Sequence, residues 1–417
     1  MRRIALIAVA LVPALPGVAQ EGWVTNRGGT TVNVFDPSTN TEKASITVGT
    51  APIDLAPDQA ESKAPSTYFV ANSGSNSVSV VDVVGRNQVR VITGDSSFGA
   101  FLNPSGITRT WNGFIAVVDE QVVGAQKSTV RFISPTTQTI VDGFVDPTST
   151  ARYVDVVSTS NGRLWIADDG YNGIVVLHLG SYSGPPFPIG LNRTIQFSGA
   201  QDYADVIYDS VNPTPVYLIN PQRLATNGTD RVVVADTGSD VVTILNATYT
   251  ANATSTAIVA NVDLGLASGK TCIDVAISGT KIYVTTNDAA APVKVLSLTT
   301  GAILATITAG ITTTVGGVGR TVDGTKVYVG GGAGVATIYE ITTASDTVTA
   351  TLTGFTGGSQ PSGFSFTPAV VLEDNGTEPS GGCGAVGAEG MLFLGLLALL
   401  LRQRSRASQK ASSSSAQ

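Results

Sequence analysis

One short strand pattern recurs seven times along this chain of 417 residues. The copies begin at Trp23-Val24-Thr25-Asn26, Phe69-Val70-Ala71-Asn72, Ala116-Val117-Val118-Asp119 and Trp165-Ile166-Ala167-Asp168. They continue at Val233-Val234-Ala235-Asp236, Tyr283-Val284-Thr285-Thr286 and Tyr328-Val329-Gly330-Gly331. Successive copies start 46, 47, 49, 68, 50 and 45 positions apart. Such a period, with several short strands in each repeat, means a β-propeller with one four-stranded blade per repeat. The expected fold is all-β, a seven-bladed ring.

The second copy shows what one blade contains. Phe69-Val70-Ala71-Asn72 reads as a strand, and Ser73-Gly74-Ser75-Asn76 turns the chain. Ser77-Val78-Ser79-Val80-Val81-Asp82 alternates polar and apolar residues, as a second strand should. Gln88-Val89-Arg90-Val91-Ile92 is a third strand, and residues 104–110 supply a fourth. The Asn or Asp that closes the first strand bonds its own backbone two residues on.

These units resemble the YVTN family of β-propeller repeats, bacterial and archaeal surface and periplasmic proteins. The residues that carry the likeness are Trp23-Val24-Thr25-Asn26, Val32-Asn33-Val34-Phe35-Asp36, Val78-Ser79-Val80-Val81-Asp82 and Ala56-Pro57-Asp58. The likeness spans residues 22–368 and weakens in later copies, where Thr286 and Gly331 replace the Asn. It implies a fold and a surface location, not a reaction. In a blade of that family the innermost strand precedes the Tyr-Val-Thr-Asn strand. Here the chain opens on the equivalent of that strand and ends on an innermost strand, Ser362-Gly363-Phe364-Ser365-Phe366. The last blade is therefore expected to be shared three-plus-one, with residues 22–48 outside and 362–367 inside. The long fourth interval places its extra residues in 180–192 and in 209–230.

The ends read as addresses. Met1-Arg2-Arg3, an apolar run over 4–12 and Gly17-Val18-Ala19 have the layout of a secretory signal peptide over residues 1–19, cut at Ala19. The propeller then covers 20–368 and a Pro/Gly-rich acidic linker covers 369–382. Residues 383–406 hold Cys383, an apolar stretch and a basic cluster around Arg402, Arg404 and Arg406. This segment resembles the Cys-containing C-terminal sorting tags of Gram-negative bacteria of the MYXO-CTERM type. The resemblance implies a membrane hold through the tag, cutting by a sorting protease and a processing or anchoring role for Cys383. A plain C-terminal membrane tail is the other reading. Both put residues 20–382 outside the cytoplasm, at the cell surface, outer membrane or periplasm. Residues 407–417 are Ser-rich and expected to be disordered.

Without its ends the chain carries 18 basic and 30 acidic residues, a net charge of −12. An acidic core repels phosphate backbones, which argues against nucleic acid as a partner. Two cysteines, Cys272 and Cys383, give no disulfide framework. The one histidine, His178, falls in a polar strand-end slot that other repeats fill with Asp, Ser, Asn or Glu, a structural position rather than a catalytic one.

The inner strands carry the candidate site. Four of them read Ile53-Asp54-Leu55, Val154-Asp155-Val156, Ala204-Asp205-Val206 and Ile273-Asp274-Val275. Gly106, Gly319 and Gly363 take the matching slot in the other three. Equal positions in equivalent strands put Asp54, Asp155, Asp205 and Asp274 on one rim of the central channel. Carboxylates held that close repel and need cations, water or N–H partners. In one reading they hold Ca²⁺ or a cationic ligand, with Asp155, Asp205 and Asp274 in consecutive blades as a half-cage. In the other, each Asp accepts hydrogen bonds from the neighbouring blade and locks the ring.

Three function classes follow. A rigid acidic propeller displayed on the envelope binds a protein, a glycan or a small ligand, because binding residues concentrate on loops held by a rigid scaffold. A metal-dependent lactonase or lyase would use the Asp rim to hold its metal. A purely structural envelope protein would do neither.

Overall fold

The computed structural model describes residues 20–119, 128–146, 151–170, 172–179, 220–248 and 258–368. The expected signal peptide with Ala19, the expected linker, the expected sorting tag with Cys383 and the tail lie outside the described residues. So does Asp205.

Seven antiparallel sheets stand around a ring. Blade one joins the two ends of the propeller. Its inner strand is Pro361–Pro368, followed outward by Gln20–Asn26, Thr31–Asp36 and Thr41–Thr47. Val24 lies opposite Phe364 and Trp23 opposite Ser365, so the three-plus-one closure is as the sequence predicts. Blade two runs Pro52–Pro57, Thr67–Asn72, Ser77–Asp82, Asn87–Ile92. Blade three runs Pro104–Arg109, Ile115–Asp119, Thr129–Ser134, Thr139–Val145. Blade four shows three strands among the described residues, Tyr153–Thr159, Arg163–Asp168 and Gly173–His178. Blades five, six and seven have inner strands Pro221–Thr226, Cys272–Ser278 and Val315–Arg320. His178 closes the third strand of blade four, opposite Arg163.

Position across a blade sets the composition of each strand. The second strand is buried on both faces, which is why it reads Val-Val-Val-Ala or Tyr-Phe-Val-Ala without alternation. The outermost strand faces water and alternates, as in Thr41–Thr47. Hairpins into that outer strand end on a left-handed residue, Asn40, Arg86, Gln138 or Asp346, with φ between 53° and 56°.

The core is not one mass. It divides into seven apolar clusters, each built from two adjacent blades. The closing interface packs Phe35 and Phe366 against Tyr328, with ring centroids 5.1 and 5.2 Å from the tyrosine. A ring with a cluster at every interface has no free face, so each blade depends on both neighbours.

One expectation about the long interval needs correcting. The inner strand of blade five is Pro221–Thr226, which sits inside the segment expected to be an insertion. The extra residues of that interval therefore all precede the inner strand.

Candidate functional site

Each inner strand carries a β-bulge just ahead of the slot named above. The register shifts between Pro52 and Asp54, Pro104 and Gly106, Tyr153 and Asp155, Pro221 and Arg223, and Cys272 and Asp274. A bulge re-aims the side chain that follows it. The same bulge in successive blades therefore presents the slot residues to the channel in equivalent poses.

Asp54, Asp155 and Asp274 occupy that slot and line one cavity of about 580 Å³ along the ring axis. Asp205, expected in the same slot, lies outside the described residues. Blade five fills the slot with Arg223, which pairs with Ala235 as Asp155 pairs with Ala167. The half-cage of three consecutive carboxylates is thus interrupted by an arginine that lines the same cavity. Blade seven also differs from expectation. Val318 pairs with Val329, which puts Gly317 rather than Gly319 in the slot. The run Val315-Gly316-Gly317-Val318-Gly319 offered three glycines, and the bulge selects the middle one.

The three carboxylates share one geometry. In each, Oδ1 accepts the next amide of its own strand at 2.8 Å: Leu55, Val156 and Val275. Oδ2 accepts an amide of the following blade: Ile107 at 3.3 Å, Leu224 at 2.7 Å and Val318 at 2.9 Å. An inner strand has one edge toward the channel, and its buried N–H groups need acceptors. Three carboxylates in alternate blades supply them for six blades.

The glycine slots follow from the same closeness. A Cβ at Gly106 would stand 2.7 Å from Cα of Asp155, and one at Gly363 2.7 Å from Cα of Asp54. Neither glycine has room for a side chain between the strands. Serines do the joining there. Ser105 Oγ donates to the Tyr153 carbonyl at 2.9 Å and Ser362 Oγ to the Ile53 carbonyl at 3.0 Å.

Burial governs the charge state. It pushes the Asp54 carboxyl up to about 7, with the nearby Asp155 adding to the rise. It pushes Asp274 up to about 6 and raises Asp155 as well. The Arg223 guanidinium opposes the rise in all three. Arg223 therefore serves as the resident counter-charge of the channel.

The ends of the cavity differ. Where the inner strands begin, it is lined by Gln222, Thr237, Gln360 and Arg27. Where they end, it is lined by Arg109, Arg320 and the loop residues Gln59 and Glu61. Among the described residues no three His, Cys, Asp or Glu side chains converge as metal ligands. Cys272 is a buried thiol, pushed up to about 12 by burial, and bonds the Asp236 carbonyl. It is a packing residue, as its place in the cluster between blades five and six requires.

Sequence reasoning missed Arg223. The available signal was spacing. The slot residue stands eleven or twelve positions before its second-strand partner in blades four, five and six, which points to Arg223 and not Asp205.

Solved structures share this fold at low identity. The chain is similar to the periplasmic gluconolactonase PpgL of Pseudomonas aeruginosa, with a TM-score of 0.60 and 15% identity over 84% of this chain and 100% of that one. It is similar to a functionally unknown protein from Desulfotomaculum acetoxidans, with a TM-score of 0.59 and 14% identity over 83% and 98% of the two chains. It also matches apo AztD from Citrobacter koseri, with a TM-score of 0.50 and 12% identity over 84% and 98%. At these identities the likeness is one of fold. No protein-family model and no curated protein matches the chain.

Proposed function

We propose that this chain is a secreted, envelope-anchored propeller of the YVTN kind that binds a small polar ligand in its central channel without transforming it. The observation that carries this reading is the channel itself. It offers about 580 Å³ lined by polar and apolar groups together, a volume usual for small-ligand sites. Its carboxylates are already engaged, each oxygen accepting a backbone amide. A general base or metal ligand needs a free lone pair aimed at substrate. Each of these oxygens commits one of its two lone pairs to the ring, which holds the carboxylates in a strand-tying pose.

Calorimetry of the purified protein against small polar ligands tests the reading, with Thr108→Trp as the control. Thr108 lines the cavity, and an indole there fills part of it. Binding lost in Thr108→Trp supports the channel. Binding that survives places the ligand on the loops instead. A metal-dependent lactonase or lyase is the competing reading, prompted by the fold shared with a periplasmic gluconolactonase. Stoichiometric metal in the purified protein would favour it.

The address rests on sequence. Gly17-Val18-Ala19 and Cys383 with its basic cluster support export followed by anchoring. Cys383→Ala is expected to leave precursor in the inner membrane. The same final location and mass for Cys383→Ala would refute the sorting role and leave a plain membrane tail.

A further inference from the structure

One inner-strand connection stands apart from the others. Blade two joins its inner strand to its second strand by nine residues, 58–66, where blades three to seven use two to five. This loop has a closed neck and a weakly held tip. At the neck, the Asp58 carboxylate accepts the Ser66 amide at 2.9 Å and also bonds the Ser66 hydroxyl. Arg109 of blade three donates from Nε to the Asp58 carbonyl at 3.0 Å. At the tip, a turn closes with the Lys63 amide on the Ala60 carbonyl at 2.8 Å.

The tip reaches across the channel mouth. Glu61 Oε2 accepts from Arg320 Nη2 at 2.9 Å. Arg320 belongs to blade seven, so the contact passes over blade one. The Glu61 side chain is 61% exposed and that of Arg320 26% exposed. An exposed ion pair of this kind contributes about 0–1 kcal/mol and weakens with salt. The second guanidinium donor, Nη1, is fixed on the Thr321 carbonyl at 3.2 Å, so the head stays in place whether or not Glu61 is present. A guanidinium held at a cavity wall recognises carboxylates, and here a carboxylate of the chain itself occupies it.

We propose that residues 58–66 form a lid on this mouth of the channel, that Glu61 holds it shut by occupying Arg320, and that a small carboxylate ligand opens it by taking the place of Glu61. This deepens the channel-binding reading by naming a ligand class, and rests on it for the cavity the lid serves. The neck supplies a fixed hinge and the tip a displaceable latch. Arg109 stands at the same mouth and adds positive charge for the entering anion.

The test uses the full protein, succinate as the probe and succinamide as its uncharged control. Hydrogen exchange follows the amides of residues 59–63, and calorimetry follows binding. Without ligand, Glu61→Gln is expected to speed exchange at the tip while leaving the neck and blades protected. Glu61→Gln should bind succinate about fivefold more tightly than the wild type, the worth of one exposed ion pair. Arg320→Gln should speed exchange at the tip and lose succinate binding. Unchanged tip exchange in both variants would overturn the lid, whatever the channel binds. Equal binding of succinamide and succinate, or no succinate binding to Glu61→Gln, would overturn the carboxylate as the opening ligand. Neither result bears on the Thr108→Trp control, so failure of the lid and failure of channel binding are separable.

Discussion

Asp274 and Val318 belong to different blades, and the Val318 amide donates a 2.9 Å hydrogen bond to the Asp274 carboxylate. The same carboxylate takes the Val275 amide of its own strand at 2.8 Å. One side chain therefore closes two open strand edges at once. Blades two and four repeat the device with Asp54 and Asp155. An odd number of blades cannot alternate perfectly, and the place where alternation fails is the closing seam. There Gly317 and Gly363 fall in neighbouring blades. The seam is held instead by aromatic packing and by backbone bonds such as the Gln360 amide on the Val335 carbonyl at 2.9 Å.

Removing one carboxylate should open one interface. Asp155→Ala leaves the Val156 and Leu224 amides without their acceptor. A buried amide left without its acceptor costs about 1–3 kcal/mol, and that is the expected fall in unfolding free energy. Asp155→Asn keeps one acceptor oxygen and should lose less. Denaturant unfolding measures both. An unchanged midpoint for Asp155→Ala would mean that the carboxylates do not tie the ring.

The same carboxylates make stability depend on pH. Asp54 rises from 3.8 to about 7 and Asp274 to about 6 on folding, because burial disfavours the charged form. The folded state thus holds these protons more tightly than the unfolded state. Their contribution is fully present below pH 3.8 and is lost as pH climbs through 6 to 7. Asp119, raised to about 7 by burial beside Arg131, acts in the same direction. Glu340 and Asp36 are lowered and act in the opposite direction, on the acid side of their ordinary values. Between these limits, unfolding free energy should fall as pH rises. In Asp54→Asn the fall should be shallower. A wild-type curve that rises over this window would show that the carboxylates stay ionised in the folded ring.

Much of this architecture was readable from the chain. The second strands announced themselves because burial on both faces demands unbroken apolar runs. The order of first and last strands gave the closure of Val24 against Phe364. The inner strands were harder. They are short and half-polar, and their bulges shift the register by one residue. The Ala-Asp-Val match at Asp205 therefore looked as good a slot as Gln222-Arg223-Leu224, which fills it in blade five. Gly319 was mistaken for Gly317 for the same reason. The lid was invisible because the Glu61–Arg320 pairing joins residues far apart in sequence, and only ring closure brings them to one mouth.

The glycines at the seam are expected to be the least replaceable. A methyl group at Gly317 would land on the backbone carbonyl of Ser362, which cannot swing away as a side chain can. A methyl at Gly316 would stand 2.9 Å from the Gly331 carbonyl, a milder conflict. Overpacking costs about 1–3 kcal/mol, so Gly317→Ala should sit at or above the top of that range and Gly316→Ala below it. Thermal unfolding of the two variants gives the order. Equal melting temperatures would mean that the inner strands of blades seven and one separate at little cost.

The closing strand should matter to the whole ring. Phe366 is 4% exposed and packs its ring 5.2 Å from Tyr328 and 5.8 Å from Phe35, one residue in each of the two blades it joins. Gly22 is a glycine because a Cβ there would strike Phe35 and Phe366 together. Truncating a buried Phe costs about 3–5 kcal/mol, which is the fall expected for Phe366→Ala. Deleting residues 361–368 goes further. It removes Phe366 and Phe364, exposes the inner edge of Gln20–Asn26 and leaves the Asp54 interface without Ser362. Because every apolar cluster is shared by two blades, one missing strand uncovers both neighbouring interfaces. The deletion should therefore lower the melting temperature far more than Phe366→Ala and promote association through the open edge. Light scattering and thermal unfolding would measure both effects. A deletion protein that stays monomeric with the melting temperature of Phe366→Ala would show that the ring holds without its closing strand.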